Sequence, residues 1–405
     1  MEKSLKRIGI FSAFLLFVGL VCVIVGVVLG SSQTIYFTTE GIKTYKLKEL
    51  TNESFTPSKL NNIYVDSPST KVRIFSSNSI KVETDYFKEI TSNNVTIEDD
   101  ELVINQKNKY LFKFDLFNPS NKENINLIFP KDYEIDTLNL DINVSSIYLD
   151  DVSVNHLIIN GDVVNVNIED AQIKNLEINH AVGSITLKNS VVNNIDIKGD
   201  VTNINCENIT EIEDFLVNLK NGKTRLYKVA ARNIDIKSVN GEISVSNSSI
   251  ENLTEKINLS LTNGKVTLNA KAKDINVNTT NASITLNSVK SDILNVKTTN
   301  GVIKGSSFNV SESTTIKNIN GSIDVRGRFS KLVNISTTNG SVLFRSTAGT
   351  AIKYNFDITT RNGKITVNES EIKNKRYTYQ NDEYTNDLII STINGNINVT
   401  ARGNE

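Results

Sequence analysis

The sequence predicts an all-β chain: a single-stranded β-solenoid of ~19–20-residue coils behind one N-terminal transmembrane helix. Three observations predict it. The composition is that of strands and turns, apolar residues recur at a fixed period around Asn-Gly corners, and one long uncharged segment lies near the start. Among the 405 residues, 56 are Asn, with Ser, Thr, Val and Ile also abundant, and these residues favour strands and turns over helices. The chain has no Trp, one Met, two His and two Cys, so it lacks the means for a disulfide framework, a Cys-rich metal site or an aromatic sugar platform. Lys and Arg number 44 against 45 Asp and Glu, for a net charge of -1, which gives no electrostatic reason to expect a nucleic acid partner.

Residues 8–29 are 22 residues without a charge, about 33 Å as a helix and long enough to cross a bilayer. Sixteen of them are Leu, Ile, Val or Phe, which favours insertion by about 5–10 kcal/mol. Lys3, Lys6 and Arg7 precede the span, so the positive-inside bias leaves residues 1–7 in the cytoplasm and everything after Gly30 outside. The expected location is therefore the cell membrane, single-pass, with an extracellular C-terminal domain. The alternative is a signal peptide cleaved near Val28-Leu29-Gly30, whose apolar core would be about 7–15 residues. Cys22 follows Val21 and reads as a small apolar residue of the span, not an acylation site. Residues 30–62 read as a linker or stalk.

Beyond the linker, Asn-Gly pairs recur at Asn221, Asn240, Asn263, Asn300, Asn320, Asn339, Asn362 and Asn394, and Asn281-Ala282 stands in once. With the residue after each Asn as position zero, apolar residues fall seven and five before it and two and four after it. Around Gly340 these are Val333, Ile335, Val342 and Phe344; around Gly241 they are Ile234, Ile236, Ile243 and Val245. The frame continues backwards through Thr202, Gly183, Val164 and Ser145. Successive zeros from Ser145 to Gly395 differ by 19, 19, 19, 20, 19, 23, 18, 19, 20, 19, 23 and 32 residues. Thirteen units give 52 core positions, of which 49 are apolar; Thr224, Gly305 and Thr314 are the exceptions. Alternation on both sides of a turn predicts two short strands per unit, and the fixed period predicts coils stacked about 4.8 Å apart, roughly 60 Å in all. No coil can stand alone, because four buried side chains contribute about 6–12 kcal/mol against roughly 19–38 kcal/mol of backbone ordering.

The turn pairs Asn240-Gly241, Asn263-Gly264, Asn300-Gly301, Asn320-Gly321, Asn339-Gly340, Asn362-Gly363 and Asn394-Gly395 supply the positive φ of tight corners, with Asn side chains free to bond from coil to coil. A row of calcium sites would need an Asp-bearing glycine nonapeptide, which is absent. All four prolines, Pro57, Pro68, Pro119 and Pro130, precede residue 131, as expected if the remainder is paired on both strand edges. Ile63, Val65, Val72 and Ile74 fit the same frame with Thr70 as zero. Residues 63–137 therefore read as an N-terminal capping β region, in which Tyr86-Phe87 and Leu111-Phe112-Lys113-Phe114 form longer strands over the first coil. Residues 138–399 read as the solenoid, with a C-terminal cap insertion at 369–387.

The runs Lys297-Thr298-Thr299-Asn300-Gly301-Val302-Ile303 and Ser336-Thr337-Thr338-Asn339-Gly340-Ser341-Val342 resemble the repeat of a bacterial adhesin-like β-strand-repeat family of unestablished function. Leu127-Ile128-Phe129-Pro130-Lys131-Asp132-Tyr133 resembles the strand leading into its repeats, and residues 388–397 resemble its closing coil. The resemblance covers most of residues 63–399. It implies a cell-surface, non-enzymatic protein, often of low-GC Gram-positive bacteria, with some members associated with envelope stress, and it supplies no catalytic residues.

The chemistry-bearing residues read as structural. His156 and His180 lie eight and three residues before their zeros and do not stack in register. Cys206 falls on a core position. Asp99-Asp100, Asp150-Asp151 and Glu211-Ile212-Glu213-Asp214 do not recur at the coil spacing, as the clustered acids of a polysaccharide-cleaving β-helix would. No catalytic residue, metal or cofactor is expected. The insertion before Gly395 carries Arg376, Tyr377, Tyr379 and Tyr384, residue types favoured at contacts, and reads either as a terminal cap or as a partner site. The expected function is binding or scaffolding at the cell envelope: adhesion to a cell-surface, cell-wall or membrane-protein ligand, or else membership of an envelope-stress sensing complex.

Overall fold

The computed structural model describes residues 18–19, 34–45, 47, 49–115, 122–246, 254–349 and 352–401. The expected transmembrane helix, residues 8–29, lies outside them except for Val18 and Gly19, which are helical. Among the described residues no helix is long and apolar enough to cross a membrane. The rest is strand and turn, arranged as one 25-stranded sheet wound into a solenoid and a separate three-stranded sheet.

The four-position frame sets the winding. Leu157 lies opposite Leu176, and Leu176 opposite Ile195; on the other strand Val166, Ile185 and Ile204 stack in the same way. These ladders are parallel, so each strand is hydrogen-bonded on both edges and its inward side chains join one continuous apolar cluster from Leu60 to Ala401. The three exceptions to the apolar frame have separate explanations. Gly305 leaves room for Phe308, whose ring occupies the place a Cβ would take and begins an aromatic column through Phe329 and Phe344 at 5.3 Å centroid spacings. Thr224 and Thr314 are fully buried, and their hydroxyls have no hydrogen-bond partner. Since a buried unpaired hydroxyl is a desolvation loss with no return, Thr224→Val and Thr314→Val should each stabilise the fold by about 1 kcal/mol, read as a higher urea midpoint at constant slope.

At the corners, Gly222, Gly241, Gly264, Gly301 and Gly321 hold φ between 137° and 155°. At Gly264 a Cβ would also collide with the carbonyl oxygen of Gly241 in the next coil. Three residues before the zero, a hydroxyl secures the corner: Thr337 donates to the Gly321 carbonyl at 3.1 Å and Thr392 to the Gly340 carbonyl at 3.0 Å. Thr-x-Asn-Gly is thus one unit. The threonine ties the corner to its neighbour, the asparagine bonds along the stack, and the glycine admits the neighbour's carbonyl. A second corner lies six residues after the zero. There Asp151, Asp170, Asn189 and Asn208 stand in the left-handed region, with φ from 48° to 53°, a conformation Asn and Asp accept more readily than other non-glycine residues.

Stack order departs from chain order at both ends. Asn62–Ser67 and Lys71–Ser77 form a coil that lies on Glu134–Ile142 and Val144–Asp150, with Ile63, Val65, Val72 and Ile74 opposite Leu138, Leu140, Ile147 and Leu149. Its other side is covered by Glu101–Asn108 and Asn124–Pro130, which follow it in the chain. At the far end Asn386–Asn394 and Ile397–Thr400 are sandwiched between the coil Leu332–Asn339 with Val342–Ser346 and the coil Tyr354–Thr360 with Ile365–Val367. Antiparallel strands then close each end: Lys81–Tyr86 and Thr91–Glu98 at one, Ser370–Ile372 and Arg376–Tyr379 at the other. A coil stacked last would have one open edge and fray; inside the stack it has partners on both edges. Three expectations are corrected: Gly340, Gly363 and Gly395 do not take the positive φ expected of an Asn-Gly corner, residues 30–62 are not all linker because Thr51–Phe55 pairs with Lys81–Tyr86, and Leu111 to Phe114 do not cover the first coil. Phe112–Asp115 pairs with Thr34–Thr38 in the separate three-stranded sheet, because its apolar residues match Phe37 across the strands.

Candidate binding surface

With aliphatics inside, every coil sends amides, hydroxyls and charges outward. The most regular array is the ladder one residue before the zero. Asn240 donates its amide to Asn221, Asn263 to Asn240, Asn281 to Asn263, Asn300 to Asn281, Asn320 to Asn300 and Asn339 to Asn320, all at 2.7–2.9 Å. The ladder ends Asn339, Asn394, Asn362, the order in which the last coils stack. Below Asn221 the same ridge is apolar and exposed: Val144, Val163, Val182 and Val201, in register.

Two open depressions flank the column. One, of about 720 Å³, runs beside the second corner and is lined by Glu134, Asn155, Lys174, Asn194 and Glu213 among others. The other, of about 660 Å³, lies near the C-terminal end, with Ser336, Thr338, Thr359, Arg361, Lys375 and Ser391 on its walls. Both are wide and shallow, the first mostly polar and the second mostly apolar in its lining, suited to a polymer lying across them more than to a small molecule held within.

The four residues expected at a partner site are brought to one end but are not equivalent. Arg376 makes a bidentate pair with Asp357, both bonds at 3.1 Å, which ties the closing strand to the coil beneath. Tyr377 packs on the core, its ring 5.8 Å from that of Phe356. Tyr379 and Tyr384 stand beside each other at 6.0 Å, with the Lys353 ammonium 5.4 Å from the Tyr384 ring centre. The insertion is therefore an end cover that also presents two tyrosines.

The residues considered for catalysis are placed by the fold elsewhere. Asp99 and Asp100 form the hairpin turn before Glu101–Asn108, and Asp151 occupies the second corner, accepting a hydrogen bond from Ser76 at 2.7 Å. Glu213 pairs with Arg232 at 2.6 Å, and Asp214 accepts from Asn233 at 3.0 Å. Cys206 is fully buried, and that burial pushes its thiol up to about 12, so it stays unreactive in the folded chain. Among the described residues no cluster of three or more His, Cys, Asp or Glu is arranged to hold a metal. His156 is exposed at the foot of an amide ladder, 3.2 Å from Asn175. His180 is buried against the Thr202 hydroxyl at 2.8 Å, and burial holds its imidazole below the usual histidine range.

That shift has a signed consequence. The unfolded chain protonates His180 more readily than the folded one, so this contribution is complete above about pH 6.5 and is lost as the pH falls from there through the folded value. His180→Gln should therefore lose less thermal stability than the parent chain between pH 7.5 and pH 5, measured by the shift of the melting temperature.

No functionally curated protein matches the chain. Solved structures with a similar course include a candidate adhesin of Bacteroides fragilis, 12% identical, covering 74% of this chain and 97% of its own with a TM-score of 0.29. Another is a candidate cell adhesion protein of Clostridium sporogenes, 9% identical, covering 87% and 99% with a TM-score of 0.20. A third is a candidate adhesin of Parabacteroides distasonis, 15% identical, covering 74% and 97% with a TM-score of 0.25. The family model described as Toastrack DUF4097 matches residues 60–271, more than half of the sequence and the stretch in which the coil frame begins and settles into its period, and the chain belongs to that family.

Proposed function

We propose that this chain is a membrane-anchored, extracellular β-solenoid that works without catalysis, as an adhesin-like binding rod at the bacterial cell envelope. The observation that carries this reading is the continuous apolar column, which leaves the outer surface of the C-terminal coils to a ladder of amides repeated from coil to coil. Such ladders complement a polymer with polar groups at regular intervals, of which a wall glycan is the nearest chemical class. In this reading residues 8–29 anchor one end and the tyrosine-bearing cover stands at the other, roughly 60 Å away.

The test is binding of the full chain, in vesicles, to isolated wall polysaccharide and to whole cells. Tyr379→Ser should weaken binding about tenfold with a smaller fall in melting temperature than Tyr377→Ser, because Tyr379 is the exposed ring of the group and lies farther from Phe356, at 6.4 Å. Tyr377→Ser, by contrast, should lower the melting temperature, because its ring packs on Phe356. Absence of binding to either target, with deletion of the gene altering an envelope-stress reporter, would replace adhesion by a role in stress sensing.

A further inference from the structure

The three-stranded sheet and the residue beside it carry the three most exposed large apolar side chains among the described residues. Its middle strand, Thr34–Thr38, pairs with Gly41–Lys43 on one side and Phe112–Asp115 on the other. Tyr36 points inward, 2% exposed, and meets the rings of Tyr45 and Tyr110 at 5.2 Å. The next residue, Phe37, turns to the opposite face, where it lies across from Ile42 and stacks on Phe112 at 4.1 Å. Ile42, Phe37 and Phe112 thus form one cross-strand row. Ile42 is 68% exposed, Phe112 57%, and Leu111 beside them 70%. Strand alternation places most large apolar residues inside, and those at the solenoid surface are at most 51% exposed, so a contiguous row with members 57–70% exposed calls for an occupant.

The chain itself indicates which. The uncharged apolar stretch ends at Leu29 and the sheet begins at Thr34. Five residue steps reach at most about 17 Å when fully extended, so the sheet is tethered within that distance of the point where the stretch leaves the hydrocarbon. The polar headgroup layer on one side is about 5–8 Å deep. We infer that the row Ile42–Phe37–Phe112, with Leu111, is a membrane-contacting face that rests in the bilayer interface beside the anchor. It would fix the direction in which the solenoid leaves the membrane, instead of letting it swing on a free stalk. This inference rests on the anchor reading of residues 8–29.

The absence of tryptophan from the chain makes the test direct, since any indole introduced is the only one. Phe112→Trp and, separately, Ile42→Trp are made in the full chain, with Tyr227→Trp, exposed in the solenoid wall, as the comparison. Each is reconstituted into phosphatidylcholine–phosphatidylglycerol vesicles with and without brominated acyl chains, and retention is checked by alkaline carbonate extraction. Emission from positions 112 and 42 should shift to the blue and lose most of its intensity in brominated vesicles, while emission from position 227 should do neither. Chains that resist extraction but show water-like, unquenched emission from both 112 and 42 would overturn the inference and leave the anchor standing. Blue-shifted emission without quenching would also overturn it, by showing protein and not lipid against the row. Chains released by carbonate would remove the anchor and the inference together.

Discussion

Deleting residues 386–405 is expected to unfasten two coils, not one. In a solenoid stacked in chain order the last coil is outermost, and its loss leaves the remainder intact. Here Asn386–Asn394 and Ile397–Thr400 lie inside the stack, and their removal leaves Val333, Ile335, Val342 and Phe344 facing Phe356, Ile358, Ile365 and Val367 across an empty layer. Losing the four buried side chains Leu388, Ile390, Ile397 and Val399 removes about 6–12 kcal/mol of burial on its own account, before any neighbour is exposed. The coil beyond the gap keeps little beyond its own closing strands and the contacts of Tyr354 with Phe329 and Phe344. Limited trypsin digestion should then cut at Lys353, Lys373, Lys375 and Arg376 in the shortened chain while the parent resists there. Ile390→Asp should do the same in miniature, by placing an unpaired charge in a fully buried layer at about 3–5 kcal/mol. A shortened chain that kept 352–379 protected would mean that this coil can dock directly onto Leu332–Asn339, and that the inserted layer is dispensable.

The same layer marks the limit of what the sequence could reveal. Period, core positions and corner residues were legible because each rests on local chemistry: alternation for the strands, Asn-Gly for a corner that ordinary residues resist. Which coil lies on which was not, because every coil carries the same four apolar positions and would fit any neighbour. The length of the insertion before Gly395 hinted at an irregularity without saying that the chain doubles back. The second corner also has a local signature: Asp151, Asp170, Asn189 and Asn208 stand six residues after successive zeros, each able to take a left-handed φ. At the surface, residue type alone marked Arg376, Tyr377, Tyr379 and Tyr384 as a group. Only packing separates Arg376 and Tyr377, which hold the end cover through Asp357 and Phe356, from Tyr379, the ring left exposed, and Tyr384 beside it. The exposed row at Ile42 and Phe112 joins residues some seventy positions apart, and no local pattern could have paired them.

The corner itself yields the sharpest single-atom prediction. Gly264→Ala should destabilise the solenoid by about 3 kcal/mol or more, adding the strain of a φ near 137° to the overlap of the new methyl with the Gly241 carbonyl. That carbonyl is held in the stack and cannot swing aside without breaking the corner of the next coil. The chain contains its own control one layer on, where Ala282 occupies the equivalent place opposite Gly264 without a left-handed φ. Ala282→Gly should cost only about 0.5–1 kcal/mol, the entropy of a freer unfolded chain. Urea midpoints of the two single variants separate the effects. A near-neutral Gly264→Ala would mean that the corner can take Ala282's conformation at will, and that glycine there reflects the ease of making the turn, not the approach of the neighbouring backbone. A large loss at 264 with a small one at 282 would instead mean that the Asn-Gly corners set the spacing of the stack, because each glycine admits the carbonyl of the coil beneath it and so fixes how closely the amide ladder above it can be drawn.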